Sequence, residues 1–210
     1  FIVFAPTGDR YLAENRVDQT AIELAAEALP QNFQLLVRLP PSDSVTLAGL
    51  NITPNIVVHR PGQQLSGNQA VFKNNELSPE DDEILRDTLA YGDLVISGPS
   101  TIVIDAAIFD KPVILVGFDG AYERSFLASI RRYYEYDHFR PVIQTGGVKV
   151  AKSAEEFRAL IHQYLLHPER DRAARAEIVR RECFRLDGRA SERLAAALIA
   201  ACNPESLRQT

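Results

Sequence analysis

Short apolar runs and amphipathic stretches follow one another along this chain, and the alternation predicts strands and helices in turn. Residues 1–5 (Phe-Ile-Val-Phe-Ala) read as a strand and 6–9 as a loop. Over 15–29, Val17, Ala21, Ile22, Leu24, Ala25 and Ala28 recur at helical spacing, and Pro30 ends the helix. Residues 33–37 and 55–59 read as further strands, with a Pro/Ser/Asp loop between them, and 62–75 as a polar segment without regular structure. Ser78-Pro79-Glu80-Asp81-Asp82 has the make-up of a helix start: serine at the N-cap, proline at the first position, acids in the first turn. That helix runs to about Tyr91, with Ile84, Leu85, Thr88 and Leu89 inward.

The stretch 92–115 carries the clearest chemistry. An apolar run (94–96) meets Gly98-Pro99, then Ser100-Thr101, then an apolar helical run, then a second apolar run starting at Pro112. This is strand, tight loop, helix, strand. In such a unit the loop lies at the carboxyl end of a parallel strand, where the helix start offers N–H groups and a positive dipole end to an anion. Ser100 is a natural N-cap, and Thr101 and Asp105, four apart, share one helix face. The spacing equally fits a capped crossover helix with Asp105 satisfied by a neighbouring backbone group, and the residues alone leave both open.

Beyond it, 113–116 reads as a strand and 117–120 as a loop on the same rim. Residues 122–136 read as an aromatic-rich helix whose Arg124, Arg131 and Arg132 could meet phosphate, although charged helix faces are usually just solvated, and 141–143 and 148–150 as short strands. Ser153 and Glu156 have capping-box spacing, opening a helix that ends near His167-Pro168. The span 169–185 alternates arginines with acids and reads as an exposed, ion-paired helix; Asp187-Gly188 breaks it, and 190–202 closes the chain as an alanine-rich helix.

At least five strand–helix alternations point to an α/β fold, a doubly wound, mostly parallel sheet with C-terminal helices, in a single domain. Ligands on such sheets bind at the carboxyl ends of the strands. The loops there supply the candidate site residues Thr7 and Gly8, Arg38, Gly98, Ser100 and Thr101, Asp119 and Gly120, with Asp105 one turn into its helix. None of these loops has the glycine pattern of a dinucleotide fold or the Lys-Ser/Thr of a P-loop, which lowers dehydrogenase and NTPase readings.

Composition narrows this further. With 46% hydrophobic and 24% charged residues, the 210-residue chain is that of an ordinary globular protein. A net charge of −5 argues against a general nucleic-acid binder. No apolar run approaches the roughly 20 residues of a membrane span, and no signal peptide is expected. Cys183 and Cys202 suggest neither a disulfide framework nor a metal site, which fits a reducing compartment. His59, His138, His162 and His167 are scattered, and no Asp-x-Asp pair sits at a strand end, so no metal is expected. The chain opens inside a strand pattern and contains no methionine, so it is expected to be a fragment of something longer.

Three ordered pieces carry a family resemblance. Gly98-Pro99-Ser100-Thr101-Ile102-Val103-Ile104-Asp105 followed by Lys111-Pro112-Val113 resembles the Asp-Tyr-Ser-Ser-x-x-x-Asp and Lys-Pro-Val elements of the CDP-glycerol glycerophosphotransferase group, within the donor-binding half of GT-B-type transferases. Phe1 to Thr7 is similar to the first strand and loop of that family's second domain, and Asp187-Gly188-Arg189-Ala190-Ser191-Glu192-Arg193 to the segment opening its last helix. One departure stands out: Arg38-Leu39-Pro40-Pro41 keeps the arginine of an Arg-x-His-Pro element but has Pro40 in place of the histidine.

The resemblance implies a nucleotide-donor-binding domain of a glycosyl- or glycerophosphotransferase that builds a cell-envelope or capsular polymer. The donor would be CDP- or UDP-linked, its diphosphate at Ser100-Thr101 without a metal ion, and Asp105 would accept from a ribose or donor hydroxyl. The catalytic base and the binding of a polymer or lipid-linked acceptor would come from a missing N-terminal domain. A cytoplasmic location follows, with association of the full protein with the membrane's inner face left open. Two alternatives remain: a UDP-N-acetylglucosamine 2-epimerase-like isomerase, which normally shows an acidic pair where this chain has Ile102-Val103-Ile104, and a non-catalytic sugar-nucleotide-binding or scaffolding module, kept alive by Pro40.

Overall fold

The computed structural model describes residues 1–10, 12, 16–64 and 75–202. The chain divides into two compact units, Phe1–Val179 and Arg180–Thr210. In the first, six strands form one all-parallel sheet: β1 (Ile2–Ala5), β2 (Leu35–Arg38), β3 (Ile56–His59), β6 (Leu94–Ser97), β7 (Val113–Val116) and β8 (Lys149–Ala151), in the spatial order β3-β2-β1-β6-β7-β8. A two-residue antiparallel pair, β4 (Gln63–Gln64) with β5 (Asn75–Glu76), lies outside this sheet. The polar segment expected over 62–75 falls mostly outside the described residues.

The strands read as unbroken apolar runs because both faces of the sheet are covered. Period two sorts them: Ile2, Phe4, Ile96, Ile114 and Val116 pack on one side with α1 (Val17–Ala28) and α5 (Ala154–Leu166). Val3, Val95, Val113 and Leu115 pack on the other, with Leu89 of α2 (Pro79–Tyr91), Val103 and Ala106 of α3 (Ile102–Ile108), Val142 of α4 (Arg140–Gln144) and Ile178 of α6 (Arg172–Glu182). Strand order reverses direction between β1 and β6, which places the topological switch point there.

Several local expectations hold in detail. Ser78 caps α2 through a complete capping box: its hydroxyl accepts from the Asp81 N–H at 3.2 Å, while Asp81 accepts from the Ser78 N–H at 2.9 Å. At α5 the box is displaced. Ser153 Oγ accepts from the Glu156 N–H, but Glu156 reaches past Ser153 to the Lys152 N–H at 2.7 Å.

Three expectations fail. Residues 122–136 are not an α-helix: they form 3₁₀ turns at Phe126–Ala128 and Ile130–Glu135. The buried Asp119 carboxylate takes the Ile130 N–H at 2.9 Å and Ser129 caps at that point, so long-range bonding replaces the i→i+4 ladder. Residues 141–143 are not a strand but lie in α4, with Pro141 in its first turn, where a missing N–H costs nothing. The helix expected over 169–185 is α6, and it is not wholly exposed. Arg175 is fully buried, its guanidinium donating to Asp110 at 2.9 Å and to the Pro168 carbonyl at 2.9 Å.

In the second unit, α7 (Ala190–Ala201) follows Gly188, whose φ of +71° suits glycine. Asp187 accepts from Arg193 Nη1 at both of its carboxylate oxygens, each at 2.9 Å, and from the Arg189 N–H, which together hold its carboxyl below the usual value. The Asp-Gly-x-Ala-Ser-x-Arg segment is thus a helix-start clamp. Among the described residues no helix is long and apolar enough to cross a membrane.

Candidate functional site

At the switch point two cavities open at the carboxyl ends of β1, β2 and β6. The larger, about 530 Å³, is lined by Thr7, Ser100 and Thr101 on the sheet side and by Tyr133, Tyr136 and His138 opposite. The smaller, about 310 Å³, holds Arg38, Asp81, Asp82 and Asp105. Both share Pro6, Pro40, Pro41, Ser100 and Thr101, so they are two lobes of one cleft.

The two loops flanking the switch point are built differently. After β1, the N–H groups of Thr7 and Gly8 both donate to Asp18, at 3.0 and 3.1 Å, and Asp18 is 2% exposed in the first turn of α1. Gly8 has φ +94°, and a Cβ there would meet the Asp43 carboxylate at 2.3 Å. After β6, the backbone N–H groups and hydroxyls of Ser100 and Thr101 donate to nothing among the described residues. Gly98 lets the loops approach: a Cβ there would sit 1.9 Å from Thr7 Oγ1. That hydroxyl is itself buried and lacks a partner among the described residues.

Ser100 is not the N-cap expected for α3. Thr101 holds that position without a side-chain bond, and Ser100 Oγ makes only a 3.4 Å contact from the Ile102 N–H. Geometry at that length is weak. With seven residues α3 also contributes little macrodipole, so an anion there would be met mainly by local N–H and O–H groups.

Electrostatics differ between the lobes. Arg38 is 8% exposed; its guanidinium donates to His59 Nδ1 at 3.1 Å and to the Asp81 carbonyl at 3.4 Å. Burial lowers its pKa, opposed by the charges of Asp81 and Asp82. Arginine only donates, so His59 Nδ1 accepts and the ring is neutral; burial, then the Arg38 charge, pushes its pKa down. Asp81 is held below the usual carboxylate range, first by the Ser78 N–H and then by the Gly62 N–H. Asp105 has no hydrogen-bond or ionic partner among the described residues, and partial burial alone pushes its carboxyl pKa up.

The structure therefore gathers Thr7, Arg38, Ser100, Thr101 and Asp105 into one cleft, backed by Gly98. Gly8 shapes the first loop, its N–H committed to Asp18. Asp119 and Gly120 lie on the same rim but line a different cavity, with Arg124 and Lys152. Asp119 serves as an acceptor for Ile130, and a Cβ on Gly120, at φ +67°, would meet Thr20 Oγ1 at 2.9 Å. Sequence reasoning missed the far wall: Tyr133, Tyr136, His138 and Phe139 were hidden in an expected helix and a scattered histidine. The aromatic density of 133–139 was the available signal.

A solved structure described as a putative UDP-N-acetylglucosamine 2-epimerase from Listeria monocytogenes is similar at 16% identity and a TM-score of 0.49, over 83% of this chain and 38% of that one. WaaG, a glycosyltransferase involved in lipopolysaccharide biosynthesis, is similar at 17% identity and a TM-score of 0.45, over 89% and 43%. The chain thus spans less than half the length of either. No curated protein matches the sequence. The family model for CDP-glycerol:poly(glycerophosphate) glycerophosphotransferases matches residues 2–200, nearly the whole chain, and the protein belongs to that family.

Proposed function

We propose that this chain is the nucleotide-donor-binding domain of a transferase that extends a cell-envelope or capsular polymer, taking a CDP- or UDP-linked donor. The observation that carries this is the loop after β6, where two N–H groups and two hydroxyls donate to nothing among the described residues, beside a Thr7 hydroxyl that has no partner among them, at the switch point. Donors of that kind, converging on one cleft, suit a diphosphate. As the bond from phosphorus to the leaving nucleotide breaks, negative charge grows on the diphosphate, and preorganised N–H and O–H groups stabilise it.

Asp105, an acceptor without a donor, takes a hydroxyl of the donor's ribose or transferred group. Tyr133 and Tyr136 offer apolar faces to its organic portion. The general base for the acceptor lies outside this chain, and the diphosphate is held without a metal ion.

Calorimetric titration of the full chain with CDP and with UDP tests this. Binding at about 1 mM or tighter, unchanged by EDTA, is the expected result. Absence of both heat and thermal shift at that concentration would overturn it, and loss of binding on chelation would overturn the metal-free arrangement.

A further inference from the structure

A second cavity opens on the same rim, two strands from the cleft. It measures about 660 Å³ and is walled by Gly117, Phe126, Arg131, Arg140, Ile143 and Lys152 among others. Gly117 and Lys152 directly follow β7 and β8, so the cavity lies at strand carboxyl ends. It shares no lining residue with either lobe of the cleft. The 3₁₀ segment is the partition: at three residues per turn, Arg131 and Tyr134 face this cavity, while Tyr133 and Tyr136 face the other.

At its floor β7 and β8 approach so closely that residue 117 must be glycine: a Cβ there would lie 2.4 Å from Val150 Cγ1 and 2.8 Å from the Ala151 carbonyl oxygen. Three cations reach over that floor. Arg131 is fixed by bonds from Nε to Ser129 Oγ at 2.8 Å and from Nη2 to the Arg124 carbonyl at 3.1 Å, with Asp119 Oδ2 3.9 Å from Nε, which leaves Nη1 without a partner among the described residues; Glu135 is the one carboxylate among the described residues lining the cavity. The Lys152 ammonium has none among them, and Arg140 has only a loose 4.0 Å approach to Glu135. An adjoining cavity shares Gly117, Arg131 and Lys152 and adds Arg124.

In a chain of net charge −5, this convergence on an apolar floor selects an anion with an organic body. Phe126 is 51% exposed over it, and the space exceeds what a bare phosphate fills. We propose that this cavity holds a phosphodiester segment of the acceptor, a short run of glycerophosphate units, beside the donor cleft. The identity of the ligand rests on the transferase reading above; the anion site itself does not.

The test is calorimetry on the full chain with a short glycerol phosphodiester oligomer, with inorganic phosphate, and separately with CDP. Arg140→Gln and Lys152→Gln are each expected to weaken oligomer binding about tenfold, as loss of a charge-assisted contact does, and to leave CDP affinity unchanged. Oligomer binding should fall as salt rises, and inorganic phosphate should bind far more weakly. Oligomer binding that is absent, unchanged from the parent chain in both variants, or matched by inorganic phosphate would overturn the proposal. If CDP binds while the oligomer does not, only this proposal fails; if the oligomer binds in a variant-sensitive way while CDP does not, the donor reading fails and the second site stands.

Discussion

Two loops of the same kind, one after β1 and one after β6, meet at the switch point with opposite electrostatic character. The first is closed by its own helix, where the Asp18 carboxylate consumes both N–H groups that could meet a phosphate. The second is left open, its N–H and hydroxyl groups donating to nothing among the described residues. A buried carboxylate also repels an anion, so the proposed diphosphate would be favoured on the β6 side. Identical topology thus yields one turn closed by its own helix and one left open, and the difference is a single side chain in the first turn of α1.

The comparison breaks most visibly at Asp18. Asp18→Ala strips the acceptor from two backbone N–H groups and is expected to cost about 3 kcal/mol of stability, measured by urea unfolding. A loss under about 0.5 kcal/mol would mean that the first loop does not depend on its carboxylate.

A somewhat smaller effect is expected where the loops touch. Gly98→Ala drives a methyl into Thr7 Oγ1 and should cost about 1–3 kcal/mol, as overpacking does. Thr7→Ala removes the obstructing hydroxyl, so the same change in that background should cost clearly less. Additive costs in the double-mutant cycle would show that the contact between the loops is not what fixes glycine at 98.

Much of this was legible beforehand because parallel strands buried on both faces must be apolar throughout, and the runs of β1, β6 and β7 announce themselves that way. The loop after β6 was legible for the same reason, since Gly98-Pro99 punctuates two such runs. What stayed hidden was decided at long range. Asp18 looks like an ordinary acid in a first helical turn, and nothing local says that it faces residues 7 and 8. Arg175 sits in an arginine-rich helix, yet Asp110, 65 residues away, draws it inside. The far wall of the cleft was missed because Asp119 and Ser129 divert an aromatic helical pattern into 3₁₀ turns.

The finest discrimination comes at Asp105, in α3 just beyond the open loop. The residues alone allowed it to be a buried structural acceptor, whose replacement would lower stability. In the structure it lies at the cleft surface and accepts nothing, so Asp105→Asn should leave stability within a few tenths of a kcal/mol, since solvent screens so exposed a charge. The sign can be fixed. Its folded pKa is raised, so above the ordinary carboxylate value the folded state keeps a proton that the unfolded chain has lost, and stability falls as pH rises through that window. The asparagine variant lacks this fall and should be marginally the more stable of the two above it. Nucleotide affinity should move the other way, weakening by about 1–3 kcal/mol if the carboxylate takes a donor hydroxyl. Unfolding curves across that pH range and calorimetry with CDP, on one preparation, check both. A variant that binds CDP as tightly as the parent would remove Asp105 from the site and leave the Ser100-Thr101 loop to hold the nucleotide alone.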